Sequence, residues 1–269
     1  MTTGRTEDDS WDVTEGVGAT ALGVAWARAR ESSSKQPLFT DPHAQQFIDA
    51  ASERGWSPPS RAITERIAHL GDYAAARTKW FDEFFIAAGA NGVEQAVILA
   101  AGLDARAWRL PWTSTTRIYE IDQPQVLAFK VETLRNHGVK AAARYTAVAV
   151  DLRQDWPTAL RDNGFDASEP TAWSAEGLLS YLPAAGQDLL FARVHELSAA
   201  GSRFAVEAFG PDFFDPEYLE DRSDVADWLA NHGWRTSVTP AANLLEHYHR
   251  DVPDVMPRTE FVSGELLSC

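Results

Sequence analysis

Cysteine is what this sequence has least of. Its one thiol is Cys269, the last residue given. A lone cysteine excludes an internal disulfide and any zinc site built on thiolates. It is the usage expected in a reducing compartment such as the cytoplasm. Basic residues are scarce too: 24 Lys and Arg stand against 39 Asp and Glu, a net charge of −15. That balance argues against a nucleic-acid partner, whose phosphates require cationic excess, and against an anionic membrane surface. No apolar run approaches the ~20 residues of a membrane helix. The opening MTTGRTEDDS is acidic and lacks the apolar stretch of a secretory signal. The seven histidines show no zinc spacing, and His247 and His249 have no third ligand near them in sequence, so no metal is expected. Ser180 lies outside any G-x-S-x-G elbow, so nothing supports a hydrolase.

What is present is a globular composition, 45% hydrophobic and 23% charged over 269 residues, enough for one α/β unit with an elaboration. The organising stretch is residues 95–122, QAVILAAGLDARAWRLPWTSTTRIYEID. The apolar run 96–101 reads as a buried parallel strand. It breaks at Gly102, a helical segment over 105–110 follows, and a β-rich run over 117–121 ends in Asp122. Strand, glycine turn, helix, strand and acid form the first half of a nucleotide-binding α/β unit. The glycine lets a ligand approach the backbone. An acid at the end of the second strand can accept two hydrogen bonds from a ribose diol. Asp122 also has a structural reading, as a cap before Gln123-Pro124. Gly102 upstream and Asp151 downstream favour the functional one.

Before this unit the chain reads as helical. One helix is expected over 11–30, with Trp11, Val17, Ala21, Val24 and Ala25 near one face. A short one is expected to open at Asp41-Pro42, with the acid as cap and the proline at the first helical position. A third runs from 60 or 61 to 88, interrupted at Gly71, with Trp80, Phe81, Phe84 and Phe85 as core. Residues 1–94 thus form a helical cap, and 95–269 the sheet-bearing domain. Strands are expected at 144–150, 171–177 and 202–208, alternating with helices at 124–136, 157–161 and 184–199, as in a parallel α/β sheet. Glu176 falls at a strand mouth, where such sheets carry their sites. The excursion 209–222, FGPDFFDPEYLEDR, fits neither period and reads as a lid over the sheet, with Phe213, Phe214 and Tyr218 as its aromatics. A helix over 225–232 and strands at 234–238 and 260–262 complete the chain, the last two as an antiparallel edge.

A dinucleotide site calls for G-x-G-x-x-G, but those positions hold Ala100, Gly102 and Ala105. Asp104 sits inside the turn, where its carboxylate would compete with a pyrophosphate for the helix N–H groups. A cofactor without phosphates removes that conflict, and S-adenosylmethionine has none. Its carboxylate suits an arginine and its ammonium suits an acid. Two other readings stay open at this point: a nicotinamide-dependent oxidoreductase on a similar sheet, and a non-catalytic module that keeps the fold to bind a partner.

Several blocks together carry a family resemblance: WDVTEGVGATALGVAWARARES, YAAARTKWFDEFF, VILAAGLDARAWRL, YEIDQPQVLAFK, VAVDLRQDW and AEGLLSYLP, in that order over residues 11–200. The chain resembles the S-adenosylmethionine-dependent methyltransferases related to leucine carboxyl methyltransferase, in the branch found in mycobacteria and other actinomycetes. The resemblance implies a class I methyltransferase-type Rossmann-like sheet. It implies Arg77 on the cofactor carboxylate, Gly102 at the cofactor turn and Asp122 on the ribose. It implies Asp151 and Leu152 around the adenine, Glu176 near the methionine end, and Tyr181 on the substrate side. The chain departs from the family at Ala100, where the first glycine of the turn is usual. The reaction expected is methyl transfer to an oxygen of a small molecule. A carboxylate acceptor is favoured because it is ionised at neutral pH and needs no base.

Overall fold

A computed structural model describes residues 16–58, 68–210, 222–254, 256 and 258–267. Three helices precede the sheet: α1 (Gly16–Ser32), α2 (Ala44–Glu53) and α3 (Ala68–Ala90). Then come β1 (Gln95–Leu99), α4 (Arg106–Arg109), β2 (Arg117–Asp122), α5 (Pro124–Asn136) and β3 (Arg144–Ala149). They are followed by α6 (Trp156–Asp162), β4 (Thr171–Ala175), a 3-10 turn (Leu179–Tyr181), α7 (Ala184–Glu196) and β5 (Arg203–Phe209). The chain closes with α8 (Val225–Asn231), β6 (Trp234–Pro240), α9 (Ala241–His247) and β7 (Thr259–Leu266).

The strands form one sheet in the order β3-β2-β1-β4-β5-β7-β6. Pairing is parallel from β3 to β5. β7 enters antiparallel between β5 and β6, which gives the antiparallel edge expected from the sequence. β1 lies at the centre, and every residue in it is buried. Its side chains alternate between the two faces, as a strand's period of two requires. Val97 and Leu99 join Trp173, Phe191 and Phe204 in one core cluster. Ala96 and Ile98 join Phe85, Ile118 and Ala172 in another. A strand covered on both faces shows no alternating polarity in sequence, which is why this run is uniformly apolar.

Local chemistry sets the helix starts. Asp155 accepts from the Thr158 N–H and Asp224 from the Asp227 N–H, each three residues on. Pro124 opens α5, where its missing N–H costs nothing. Asp41 accepts from the N–H groups of His43 and Ala44, the capping role expected of it, although the regular helix begins only at Ala44.

Three expectations are corrected. α3 runs through Gly71 without a break; a lone helix glycine costs only about 1 kcal/mol, which packing overrides. The buried face of α1 is Leu22, Ala25 and Ala29, while Ala21 and Val24 face the cavity described below. β7 is eight residues long, not the three expected at 260–262. Phe81 and Phe85 are buried as expected and pack against the sheet. Trp11, Phe213, Phe214 and Tyr218, with most of the 209–222 excursion, lie outside the described residues.

Candidate functional site

A cavity of about 350 Å³ opens at the C-terminal ends of the strands, beneath α1. Arg77, Gly102, Asp122, Asp151, Leu152, Glu176 and Tyr181, the residues singled out from the sequence, all line it. Glu176, Asp122 and Asp151 come from the mouths of different strands, so one cleft brings together acids up to 54 positions apart.

One wall is built on the glycine turn. Ala100 and Gly102 both adopt left-handed backbone, with φ of 51° and 50°. Gly102 suits that conformation, whereas Ala100 is strained in it. A Cβ on Gly102 would also lie 3.4 Å from the Ala21 side chain of α1. Asp122 ties the turn to β2: its Oδ2 accepts from the Gly102 N–H at 2.6 Å and its Oδ1 from the Gln123 N–H at 2.6 Å. Each oxygen keeps a further lone pair for a ligand. Burial pushes the Asp122 carboxyl above its usual range, and the two N–H bonds only partly offset this. Asp151 accepts from the Gln123 side chain and from the Arg153 backbone and guanidinium. Burial raises its pKa, but these bonds outweigh burial and hold it below the usual range.

Asp104 occupies the place foreseen for it. Its Oδ1 accepts from the Arg106 N–H at 2.6 Å, at the start of α4. The donor a pyrophosphate would use is therefore already taken by a carboxylate. Burial opposes its charge, but Arg106, Arg28 and Arg109 prevail and lower its pKa.

The opposite wall is a layer of arginines and acids. Arg77 Nε lies 2.9 Å from Glu176 Oε1, and its Nη1 lies 3.3 Å from each oxygen of Glu207. Burial disfavours the Arg77 charge, but Glu207 and Glu176 more than compensate and raise its pKa. Arg106 Nη1 meets Glu176 Oε2 at 2.7 Å and also pairs with Asp104; its Nε meets Asp82 at 2.7 Å. Arg109 grips the same Asp82 through two nitrogens at 2.6 Å. Glu207 further accepts from the Gly177 N–H at 2.6 Å and from the Tyr73 hydroxyl.

Glu207, Tyr73, Arg106 and Asp82 did not emerge from sequence reasoning. Glu207 had one signal: an acid near the end of the otherwise apolar run 204–209, where a buried carboxylate must have a purpose. No described histidine lines the cavity. Among the described residues no three His, Cys, Asp or Glu side chains gather as a metal site, and no helix is long and apolar enough to cross a membrane.

Comparison with known proteins gives the following. The profile of the family described as leucine carboxyl methyltransferase matches residues 21–195. A protein of Mycolicibacterium paratuberculosis, assigned by name to the S-adenosyl-L-methionine-dependent methyltransferases, is 49% identical over 97% of both chains. A similarly named protein of Mycobacterium avium is 48% identical over 98% of this chain and 99% of its own. Two solved structures share the fold at low identity. One is a protein from Thermobifida fusca assigned to the methyltransferases (TM-score 0.56, 17% identity, 92% of this chain and 94% of that one). The other is a DUF574 family protein from Streptomyces avermitilis (TM-score 0.55, 12% identity, 90% and 96%).

Proposed function

The chain belongs to the leucine carboxyl methyltransferase family and is an S-adenosyl-L-methionine-dependent methyltransferase; from that premise we propose that it methylates an oxygen of a small molecule, a carboxylate before a hydroxyl. The observation that carries the proposal is the single cleft on which all the residues singled out from the sequence converge.

The donor set fits this cofactor. Acids stand where hydroxyls and an amine would need acceptors, and Asp104 blocks the helix terminus that a phosphate would seek. In the proposed seat Asp122 accepts from the ribose hydroxyls, and Asp151 accepts from the adenine amine beside Leu152. Gly102 leaves room for the ligand against the backbone. Arg77 holds the cofactor carboxylate with its planar fork, and Glu176 takes the ammonium. Bound there, S-adenosylmethionine would supply an electrophilic methyl group on a sulfonium, with a neutral thioether as the leaving group for an attacking acceptor oxygen. The protein's part is to hold donor and acceptor in line at roughly 3 Å and to exclude water. α1, through Ala21 and Val24, caps the cofactor over the strand ends. Tyr181, which lines the cavity, borders the acceptor side.

A carboxylate acceptor is favoured because, among the described residues, no histidine lines the cavity and its acids are already engaged. Glu176 and Glu207 are both held by Arg77, and Asp151 is held by Arg153. A carboxylate is already ionised at neutral pH, whereas an alcohol or phenol is not. Incubation of the protein with methyl-labelled cofactor and small-molecule extract tests this. A base-labile labelled ester is expected. A base-stable labelled ether would redirect the proposal to hydroxyl acceptors, and label confined to macromolecules would contradict a small-molecule acceptor.

A further inference from the structure

The arginine wall does not balance its own charge. Arg77, Arg106 and Arg109 face Glu176, Glu207, Asp104 and Asp82 in one connected network, so the carboxylates outnumber the guanidinium groups by one. The neighbouring Arg28 and Asp41 pair at 3.0 Å and cancel. The surplus has an address. Glu176 receives both Arg77 and Arg106, at 2.9 and 2.7 Å. Asp82 receives Arg106 and Arg109, and Asp104 receives Arg106. Glu207 has a share of one cation, Arg77, at 3.3 Å, and is otherwise held by neutral donors, the Gly177 N–H and the Tyr73 hydroxyl. Neutral donors support a carboxylate's charge without cancelling its field. Glu207 borders the cavity yet has no accessible surface, so it acts on a ligand through that field and not through contact. An underpaired buried carboxylate costs stability, and a cation seated in the cavity recovers it.

We propose that Glu207 is a specificity-determining residue that selects a cationic ligand, making the pocket prefer the sulfonium cofactor over the neutral thioether product. The inference rests on the cofactor seat proposed above. S-adenosylmethionine carries a net positive charge, from sulfonium, ammonium and carboxylate, whereas S-adenosylhomocysteine is a neutral zwitterion. The carboxylate surplus therefore complements the first and not the second. After transfer the attraction vanishes with the sulfonium charge, which assists product release.

The test is calorimetric titration of wild type and Glu207→Gln with three ligands: S-adenosylmethionine, S-adenosylhomocysteine and sinefungin, which carries an ammonium at the sulfonium position. Glu207→Gln keeps the shape and removes the charge. Affinity for both cationic ligands is expected to fall roughly ten- to fifty-fold more than affinity for the thioether, the size of one carboxylate charge acting across a partly desolvated pocket. Equal losses for all three ligands, or none, overturn the inference, because a purely structural role cannot tell the ligands apart. If Glu207→Gln does not fold, the paired replacement Tyr73→Phe with Glu207→Leu removes donor and acceptor together, which folding tolerates better. It should shift the ratio in the same sense, and an unmoved ratio again overturns the inference. Asp122→Ala separates this inference from the seat. If that variant weakens all three ligands alike while Glu207→Gln leaves the ratio unmoved, the seat stands and only the charge selection falls. If Asp122→Ala binds all three as the wild type does, the seat is wrong and the inference falls with it.

Discussion

The two walls of the cleft are built on opposite plans. The glycine-turn wall is local: Asp122 is held by the N–H groups of Gly102 and Gln123, and Asp151 by Arg153, two residues on. Backbone N–H groups hold both oxygens of Asp122 and one of Asp151, and they come with the fold. The arginine wall is assembled from afar. Arg77 and Glu207 are 130 positions apart, and Arg106 and Glu176 are 70 apart. The charged partners there are side chains, buried or nearly so, with a few backbone groups such as the Gly177 N–H beside them. The first wall should therefore tolerate loss of a carboxylate at a cost in binding alone. The second should fail as a unit, because removing one member strands the charges of the others.

The comparison breaks most sharply at Arg106, which is 2% exposed and pairs with Asp82, Asp104 and Glu176. Arg106→Met strips Asp104 of its paired cation and leaves Asp82 and Glu176 with one each, Arg109 and Arg77, and urea unfolding should show a loss of about 3–5 kcal/mol. A loss under about 1 kcal/mol would mean that the wall is not a cooperative network.

A smaller effect lies beneath the other wall. Glu120, two residues before Asp122 on β2, is wholly buried against Lys130 and Tyr145, at 2.6 and 2.7 Å. Burial pushes its carboxyl up to about 7, against the pull of Lys130. A carboxyl whose folded pKa lies above its unfolded one stabilises the fold when protonated, and that stability is lost as pH rises through the folded pKa. Relative to Glu120→Gln, wild-type stability should thus decline from the ordinary carboxylate range up to about pH 7, by about 1–3 kcal/mol. Urea midpoints across that range would show it; parallel curves would place the ionisation elsewhere.

The smallest effect sharpens the turn itself. Ala100 sits at φ 51°, where a side chain is strained. Ala100→Gly should raise stability by about 0.5–1 kcal/mol, the relief of strain less the added freedom of the unfolded chain. A thermal midpoint that falls would mean that the Ala100 methyl, which packs on the main core, outweighs the strain.

The same contrast explains how much of the site was legible. Strand, glycine turn, strand-end acid is a short-range pattern, so Gly102, Asp122, Asp151 and Glu176 could be placed at strand mouths before any coordinates, and Asp104 could be seen to obstruct a phosphate. Arg77 looked like any helix arginine until family resemblance singled it out. Arg106, Asp82 and Tyr73 carried no local signal, because their meaning lies in partners that only the folded chain brings near. The Tyr73 ring packs near Phe261, and only its hydroxyl reaches Glu207. The parallel pairing from β3 to β5 followed the alternation of strand and helix. The reach of β7 did not, because TEFVSGEL mixes glycine and acids into a strand whose pairing comes from β5 and β6 on either side.

The most direct test of the seat is calorimetric titration of S-adenosylhomocysteine into wild type and Asp122→Ala, with thermal melts of both. Saturable one-to-one binding by the wild type, weakened at least about ten-fold in the variant as expected for losing a charged hydrogen-bond acceptor, with a nearly unchanged melting temperature, is the predicted result. Equal affinity in the two proteins would contradict a cofactor held at the mouth of β2.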